Sequence, residues 1–325
     1  MKDKNGFIAY GYGNYGKECS KYFFENNSDV IAFADKNYLL WGGKTEEGYD
    51  VISPAEMVTM GYDILIKLCV LQRADTVENE LRSAGFTNIE KAKIKLHSGY
   101  VKNARKLLYD DLSEKSFDVC VNFWETGDTS GFAEIYTPDI YFLKDIFQFD
   151  SDEVYIDVGG YDGNDSEHFI KLTNGSFKHI YIFEPISKMM SVCREKFADN
   201  NRVSVLQSAL GDEVKDVFFS ENGGASRQNK HGSETVRVLV LDKMTIFPPT
   251  LIKMDVEGSE LEVLNGMKQK IATHKPKLAI CLYHKPRDIY EIPLWIAKNF
   301  PFYKQYIRQH QANDTLELVL YCVPD

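Results

Sequence analysis

The stretch VYIDVGGYDG, Val154 to Gly163, decides the fold. A short run of β-branched and aromatic residues around one acid reads as a buried strand. It ends in three glycines, and the following NDSEHFIKLTNG reads as a helix. A second stretch of this kind, FIAYGYGNYGK, covers Phe7 to Lys17. Strand, glycine turn and helix make the opening unit of a parallel α/β sheet, so the chain presents two such openings.

The two turns differ in spacing. Gly11, Gly13 and Gly16 fit G-x-G-x-x-G, and Asp35 ends the next strand, 19 residues after Gly16. That is the dinucleotide-binding arrangement, with the helix N-terminus facing a phosphate and the acid facing a ribose. The same glycines also serve a tight turn and close helix packing. A second nucleotide site at Gly11, Gly13, Gly16 and Asp35 and a purely structural turn are both open. GYDVISPAEM, after the acid, resembles small Rossmann domains that precede sugar-modifying enzymes and are associated with nucleotide sugars or unassigned ligands.

In the other turn the acid lies inside the motif: Asp157 precedes Gly159, Gly160 and Gly163. A carboxylate there would repel a pyrophosphate and suits a ligand with a positive amine, such as the methionine part of S-adenosylmethionine. Glu184 ends the next strand, IYIFEP, 27 residues after Asp157, and can accept both ribose hydroxyls. Pro185 stops that strand, and Ser187 is placed to cap the next helix. LQSALGD ends the third strand, which puts Gln207, Ser208 and Ala209 near the adenine. In IKMDVEGSELEVLNG, Asp255 and Glu257 stand at the carboxyl end of a strand, where open α/β sheets hold ligands. Ser259 and Glu262 have capping-box spacing, and Gly266 ends that helix. The two acids could stabilise cofactor charge, act as a base or orient a hydroxyl; Glu257 could instead only favour a helix N-terminus.

EVYIDVGGYDGNDSEHF, IYIFEP, LQSALGD and LIKMDVEGSELEVLNG together resemble the FkbM family of S-adenosylmethionine-dependent methyltransferases. The likeness runs from about Tyr136 to the C-terminus, and DVEGSE is its most specific piece. The resemblance implies the class I methyltransferase fold, a Rossmann-like seven-stranded sheet, and methylation of hydroxyls on sugars or polyketide-type metabolites. It further implies that Asp157, Gly159, Gly163 and Glu184 bind the cofactor; Gly160, Tyr161, Asp162, Pro185, Ser208, Ala209 and Asp255 are candidates for the same site. Asp255 and Glu257 would lie near the transferred methyl group. The N-terminal block lies outside the family core.

Around this pocket, His284 ends the strand LAICLYH on the same sheet edge as Asp255 and is a candidate base. A structural histidine fits the same position. Arg308 could contact an anionic substrate. The polar loop ENGGASRQNKHGSE, Glu221 to Glu234, could be a lid that brings Arg227 and His231 to the substrate. No metal site is expected, because no histidine or third carboxylate is obvious beside Asp255 and Glu257.

The 325 residues are expected to divide into a smaller Rossmann-like parallel α/β domain at 1–98, a helical and aromatic connector at 99–150, and the methyltransferase domain at 151–325. In the connector, GYVKNARKLLYDDLSEKS reads as helix and VNFWETGDTSGFAEIYTPDIYFLKDIF as irregular. A net charge of −10 argues against a nucleic-acid partner. The N-terminus runs straight into a strand, unlike a signal peptide, and no apolar run reaches the ~18 residues of a membrane span. Six scattered cysteines without a C-x-x-C pair read as buried thiols of a cytoplasmic protein.

The function expected is S-adenosylmethionine-dependent O-methylation of a hydroxyl on a sugar, glycan or related small metabolite, by a chain that could form a homo-oligomer. Two rivals use the N-terminal turn: an NAD(P)-dependent oxidoreductase and a non-catalytic sugar-nucleotide-binding protein.

Overall fold

The computed structural model describes residues 6–71, 73–222, 225–228, 234–313 and 315–325. The chain divides into two compact units. One holds residues up to 101 with 118–131 and 285–287; the other holds 102–117, 132–284 and 288–325.

The first unit is a parallel sheet of β1 (Phe7–Tyr10), β2 (Val30–Ala34), β3 (Val51–Ile52), β4 (Leu65–Leu68) and β5 (Ile89–Lys91), in the order β3-β2-β1-β4-β5. All four residues of β1 are buried, as a central parallel strand requires. Helices α1 (Asn14–Glu25), α2 (Pro54–Thr59) and α3 (Ala74–Ser83) connect the strands. Ser53 and Glu56 close a capping box on α2, with Pro54 in its first turn. Gly85 follows α3 at φ +104, the left-handed position that ends a helix. Ile8, Tyr10, Met57, Ile66, Leu68 and Leu81 form the core.

Between the sheets the structure departs from the sequence reading. The expected single helix is two, α4 (Ser98–Arg105) and α5 (Asp111–Thr126), and α5 runs through VNFWET. The break has a local cause. Tyr109 donates its N–H to Gln305 O, and Asp110 Oδ1 accepts from the Ser113 N–H at 2.8 Å, which starts a new helix. Phe117, Cys120, Phe123 and Trp124 are buried at helical spacing, so the aromatic run is one helix face. The stretch expected as a connector is divided between the two units. A short helix, α6 (Phe132–Ile135), precedes an irregular run to the next strand.

The second unit carries β6 (Val154–Val158), α7 (Asn164–Leu172), β7 (His179–Phe183), α8 (Ser187–Lys196), β8 (Val203–Leu206), β9 (Ala209–Leu210), β10 (Lys215–Asn222), β11 (Ala225–Gln228) and β12 (Glu234–Leu239). β13 (Leu251–Met254), α9 (Glu260–Asn265), α10 (Lys268–His274), β14 (Lys277–Cys281), α11 (Asp288–Asn299), β15 (Tyr303–Gln309) and β16 (Leu318–Pro324) follow. Seven strands form a sheet in the order β15-β16-β14-β13-β6-β7-β8, with β16 antiparallel to both neighbours and the ladders from β14 to β8 parallel. This is the expected seven-stranded methyltransferase fold. Order reverses beside β6, so the carboxyl ends of β6, β7 and β13 meet at a switch point. β9 to β12 form a separate small sheet, and the expected lid stretch contains the strand β11, paired antiparallel with β10. Tyr155, Phe147, Phe169 and Tyr321 anchor the core beneath the site.

Candidate active site at the carboxyl edge of the seven-stranded sheet

Two glycines bring the switch point together. A Cβ on Gly159, whose φ is +79, would lie 1.9 Å from the Asp255 carbonyl oxygen; one on Gly160 would lie 2.3 Å from the Ile182 side chain. The β6 turn can therefore touch β13 and β7 only without side chains at these positions. Gly163 starts α7 at φ +77 against Phe197 and Cys193.

The result is a cavity of about 700 Å³ at the strand ends. Gly159, Gly160, Tyr161, Asp162, Glu184, Pro185, Ser208, Ala209, Asp255 and Glu257 line it, so most of the residues singled out in the sequence converge. So do Tyr141, Asp165, Lys253, Tyr283, His310 and Glu317. Five of the nine non-glycine residues with positive φ among the described residues line this one cavity: Asp139, Tyr141, Tyr161, Glu257 and Glu317. Backbone strain of about 1–3 kcal/mol per residue is thus concentrated where ligand would sit.

Glu184 is anchored by its neighbours. Its Oε2 accepts from the Tyr161 N–H at 2.9 Å and its Oε1 from the Ile186 N–H at 2.8 Å. Burial pushes its carboxyl up to about 7, against those two hydrogen bonds. Nearby, the buried Ser208 Oγ has no hydrogen-bond partner among the described residues. A fixed carboxylate and an orphaned hydroxyl on one wall fit a hydroxyl-rich, nitrogen-bearing nucleoside.

Asp157 is placed otherwise than its motif suggests. It is fully buried and is not on the cavity wall. Its Oδ2 accepts from Ser166 Oγ at 2.7 Å, and its Oδ1 lies 3.1 Å from Lys253 Nζ. Lys253 stands between Asp157 and the cavity, 3.1 Å from Asp165 Oδ2, and donates to Gly159 O at 2.7 Å. Burial opposes the charge on Lys253, but Asp157, Asp165 and Asp255 outweigh it and hold the amine well above its ordinary value. The signal was present in the sequence: Lys253 is the one charge inside LIKM, a strand buried on both faces.

Asp255 is the centre of a polar network. Tyr141 donates its hydroxyl to Oδ2 at 3.2 Å, Tyr283 OH lies 3.2 Å from Oδ1, and His284 Nε2 also lies 3.2 Å from Oδ1. Burial would raise its carboxyl, yet the His284 contact and the Lys253 charge bring it down to about 2. His284 is itself buried, and its Nδ1 lies 2.7 Å from Glu260 Oε1. Burial works against its charge, and the carboxylates of Glu260 and Asp255 push it well above its ordinary value. It is therefore an imidazolium held between two acids.

Glu260 also explains why the expected capping box is missing. Ser259 makes no side-chain cap; instead Glu260 Oε1 faces the Val256 N–H at 3.2 Å and the Gly258 N–H at 3.4 Å. Gly266 is needed for packing, since a Cβ there would lie 1.8 Å from Gly211 O. Ser187 does not cap α8: its N–H lies 3.1 Å from Glu234 Oε1, which Gln207 Nε2 also approaches at 2.8 Å.

The substrate candidates separate. Arg308 is buried away from the cavity, bonded to Asp110 Oδ2 at 2.6 Å and Ser113 Oγ at 2.8 Å. Arg227 lies on β11, and His231 lies outside the described residues. Among the described residues, no group of three or more His, Cys, Asp or Glu side chains is placed to hold a metal ion. No helix among them is long and apolar enough to cross a membrane.

In the first unit, a Cβ on Gly16 would lie 2.2 Å from Gly11 O, and Gly11 has φ +101, so packing alone requires both. Gly13 faces open space. The Asp35 carboxylate accepts from the Tyr12 N–H at 2.6 Å and the Asn37 N–H at 2.7 Å.

Comparison with known proteins agrees with this geometry. Residues 157–312 match the family model of the methyltransferase FkbM domain. The structure is similar to a methyltransferase FkbM from Methylobacillus flagellatus KT, with a TM-score of 0.62 and 22% identity over 98% of this chain and 90% of that one. A putative methyltransferase from Streptococcus mutans in complex with SAH matches at a TM-score of 0.37 and 15% identity, over 55% of this chain and 91% of that one. Among curated proteins, none matches the chain significantly. Residues 157–312 therefore carry a methyltransferase FkbM domain.

Proposed function

We propose that this methyltransferase acts on oxygen, methylating a hydroxyl of a sugar, glycan or related small metabolite. The observation that carries the reading is the cavity wall: Asp139, Asp162, Asp165, Glu184, Asp255, Glu257 and Glu317 line it, with Lys253 the one lysine or arginine that lines it among the described residues. Carboxylates accept hydrogen bonds from hydroxyls and favour a cationic methyl donor, whereas they repel a phosphorylated or nucleic-acid acceptor.

When bound, S-adenosylmethionine supplies an electrophilic methyl group on a sulfonium. On this reading Glu184 would accept from the ribose hydroxyls, Ser208 and Ala209 would border the base, and the Tyr161–Asp162 turn would hold the remainder of the cofactor. Asp255 would set a negative charge beside the sulfonium, and Glu257 would share that edge. His284 holds Asp255 in place rather than taking a proton, because it is already an imidazolium. Much of the rate would come from holding the acceptor oxygen in line with the methyl carbon. The six cysteines are all free and buried, which suits a cytoplasmic enzyme.

The test is S-adenosylhomocysteine release from S-adenosylmethionine in the presence of neutral monosaccharides, their phosphates and simple amines. Turnover confined to the neutral sugars supports the reading; turnover confined to amines or phosphates contradicts it.

A further inference from the structure

The Tyr141 hydroxyl stands between two carboxylates, 3.2 Å from Asp255 Oδ2 and 3.4 Å from Glu317 Oε2. A phenol carries one proton, so it satisfies one of them at a time. The two acids are furnished differently. Asp255 also faces Tyr283 OH and His284 Nε2, and each favours its ionised form. Glu317 meets the Tyr141 hydroxyl only at long range. It sits just before β16, on the cavity wall, with φ +63, a conformation that costs a non-glycine residue about 1–3 kcal/mol.

We propose that Glu317 is the proton acceptor for the hydroxyl that is methylated, with Asp255 the permanent charge beside it. The inference rests on the oxygen methylation proposed above. The acceptor oxygen forms a bond to the methyl carbon while the methyl–sulfur bond breaks, its electron pair staying on sulfur. The acceptor O–H proton passes to the Glu317 carboxylate. The products are a methyl ether, a neutral thioether and a protonated Glu317, which returns its proton to water before the next turnover.

The groups around Glu317 fit that task. Burial, then the negative charges of Asp255 and Asp165, push its carboxyl up to about 7, against Lys253 and the Tyr141 hydroxyl. A base serves best when its pKa lies near the working pH. Asp255, at about 2, is too weak a base for a neutral hydroxyl, and His284 has no site left for a proton.

The deciding experiment is calorimetric titration near pH 7 in two buffers of different ionisation heat, with S-adenosylmethionine and S-adenosylhomocysteine as the two probes. They differ by the sulfonium charge, so the excess proton release with S-adenosylmethionine reports carboxyls that ionise to meet it. Glu184 titrates in the same range, so the comparison is made against Glu317→Gln. The excess release is expected in the wild type and lost in Glu317→Gln. An unchanged excess in the variant overturns the proposal. A wild type that binds neither probe overturns the methyl-donor reading as well. With any acceptor found by the sugar screen, Glu317→Gln should lower kcat by about 100-fold or more, and Glu317→Asp should retain part of the activity with a shifted pH profile. Glu317→Gln turnover within about threefold of wild type would also overturn it.

Discussion

Lys253 and Asp157 face each other as register partners across β13 and β6, with Nζ 3.1 Å from Oδ1 in a site closed to solvent. This pair joins the glycine turn to the strand that carries Asp255. The acid that marks the motif in the sequence is thus paired with a buried lysine of the neighbouring strand.

Breaking the pair should cost stability more than cofactor affinity. Lys253→Met leaves Asp157 buried without its counter-charge, and such changes cost about 3–5 kcal/mol. Urea unfolding checks this. A loss below about 1 kcal/mol would mean that the buried pair does not hold the turn to β13.

The two histidines at the site should behave oppositely. His284 is held protonated by Glu260 and Asp255, while burial pulls His310 down to about 4 despite its bond to the Thr137 carbonyl. His310 Nδ1 then donates to Thr137 O at 2.7 Å, and Nε2 accepts from Tyr321 OH at 2.8 Å. Nitrogen NMR at pH 7 should show His284 as an imidazolium and His310 as a neutral ring. A neutral His284 would remove the reason for assigning Asp255 a fixed charge.

Glycine substitutions should separate the two turns. Gly159→Ala introduces a Cβ 1.9 Å from the Asp255 carbonyl at a positive φ, and strain plus overpacking should cost about 2–4 kcal/mol. Gly13→Ala meets nothing within 4 Å and should change stability by less than about 1 kcal/mol. Equal losses in thermal unfolding would contradict the packing role assigned to Gly159.

The unliganded protein should lose stability between pH 5 and pH 7.5 through Glu184 and Glu317. Both carboxyls are raised from 4.5 to about 7 by burial, so the folded state holds protons that the unfolded chain has released. The contribution is full below pH 4.5 and is lost as pH rises through about 7. Glu184→Gln combined with Glu317→Gln should flatten this part of the stability curve. A double variant as steep as wild type would place the titration elsewhere.

Much of the fold was legible because it rests on local signals. Glycine turns after apolar strands, Glu184 before Pro185, and the acids of DVEGSE all mark strand ends, and the structure gathers those ends around one cavity. What was not legible depends on pairing across the sheet. Nothing near Asp157 in sequence tells that Lys253 lies opposite it. Glu260 appears as one more acid of a helix start, yet it takes the Val256 and Gly258 N–H groups and His284, at the expense of the expected Ser259 cap. Tyr141 and Glu317 are 176 residues apart and meet only once β16 has paired with β14. VNFWET looked irregular because its aromatic residues were read without the helix that begins at Asp111.

Whether the cavity of the second unit is the methyl-donor site is decided by thermal shift with S-adenosylhomocysteine, NAD, NADP and UDP-sugars on the wild type and Glu184→Gln. The prediction is a large stabilisation of the wild type by S-adenosylhomocysteine alone, much reduced in Glu184→Gln. Stabilisation by NAD, NADP or UDP-sugars with no response to S-adenosylhomocysteine would contradict it.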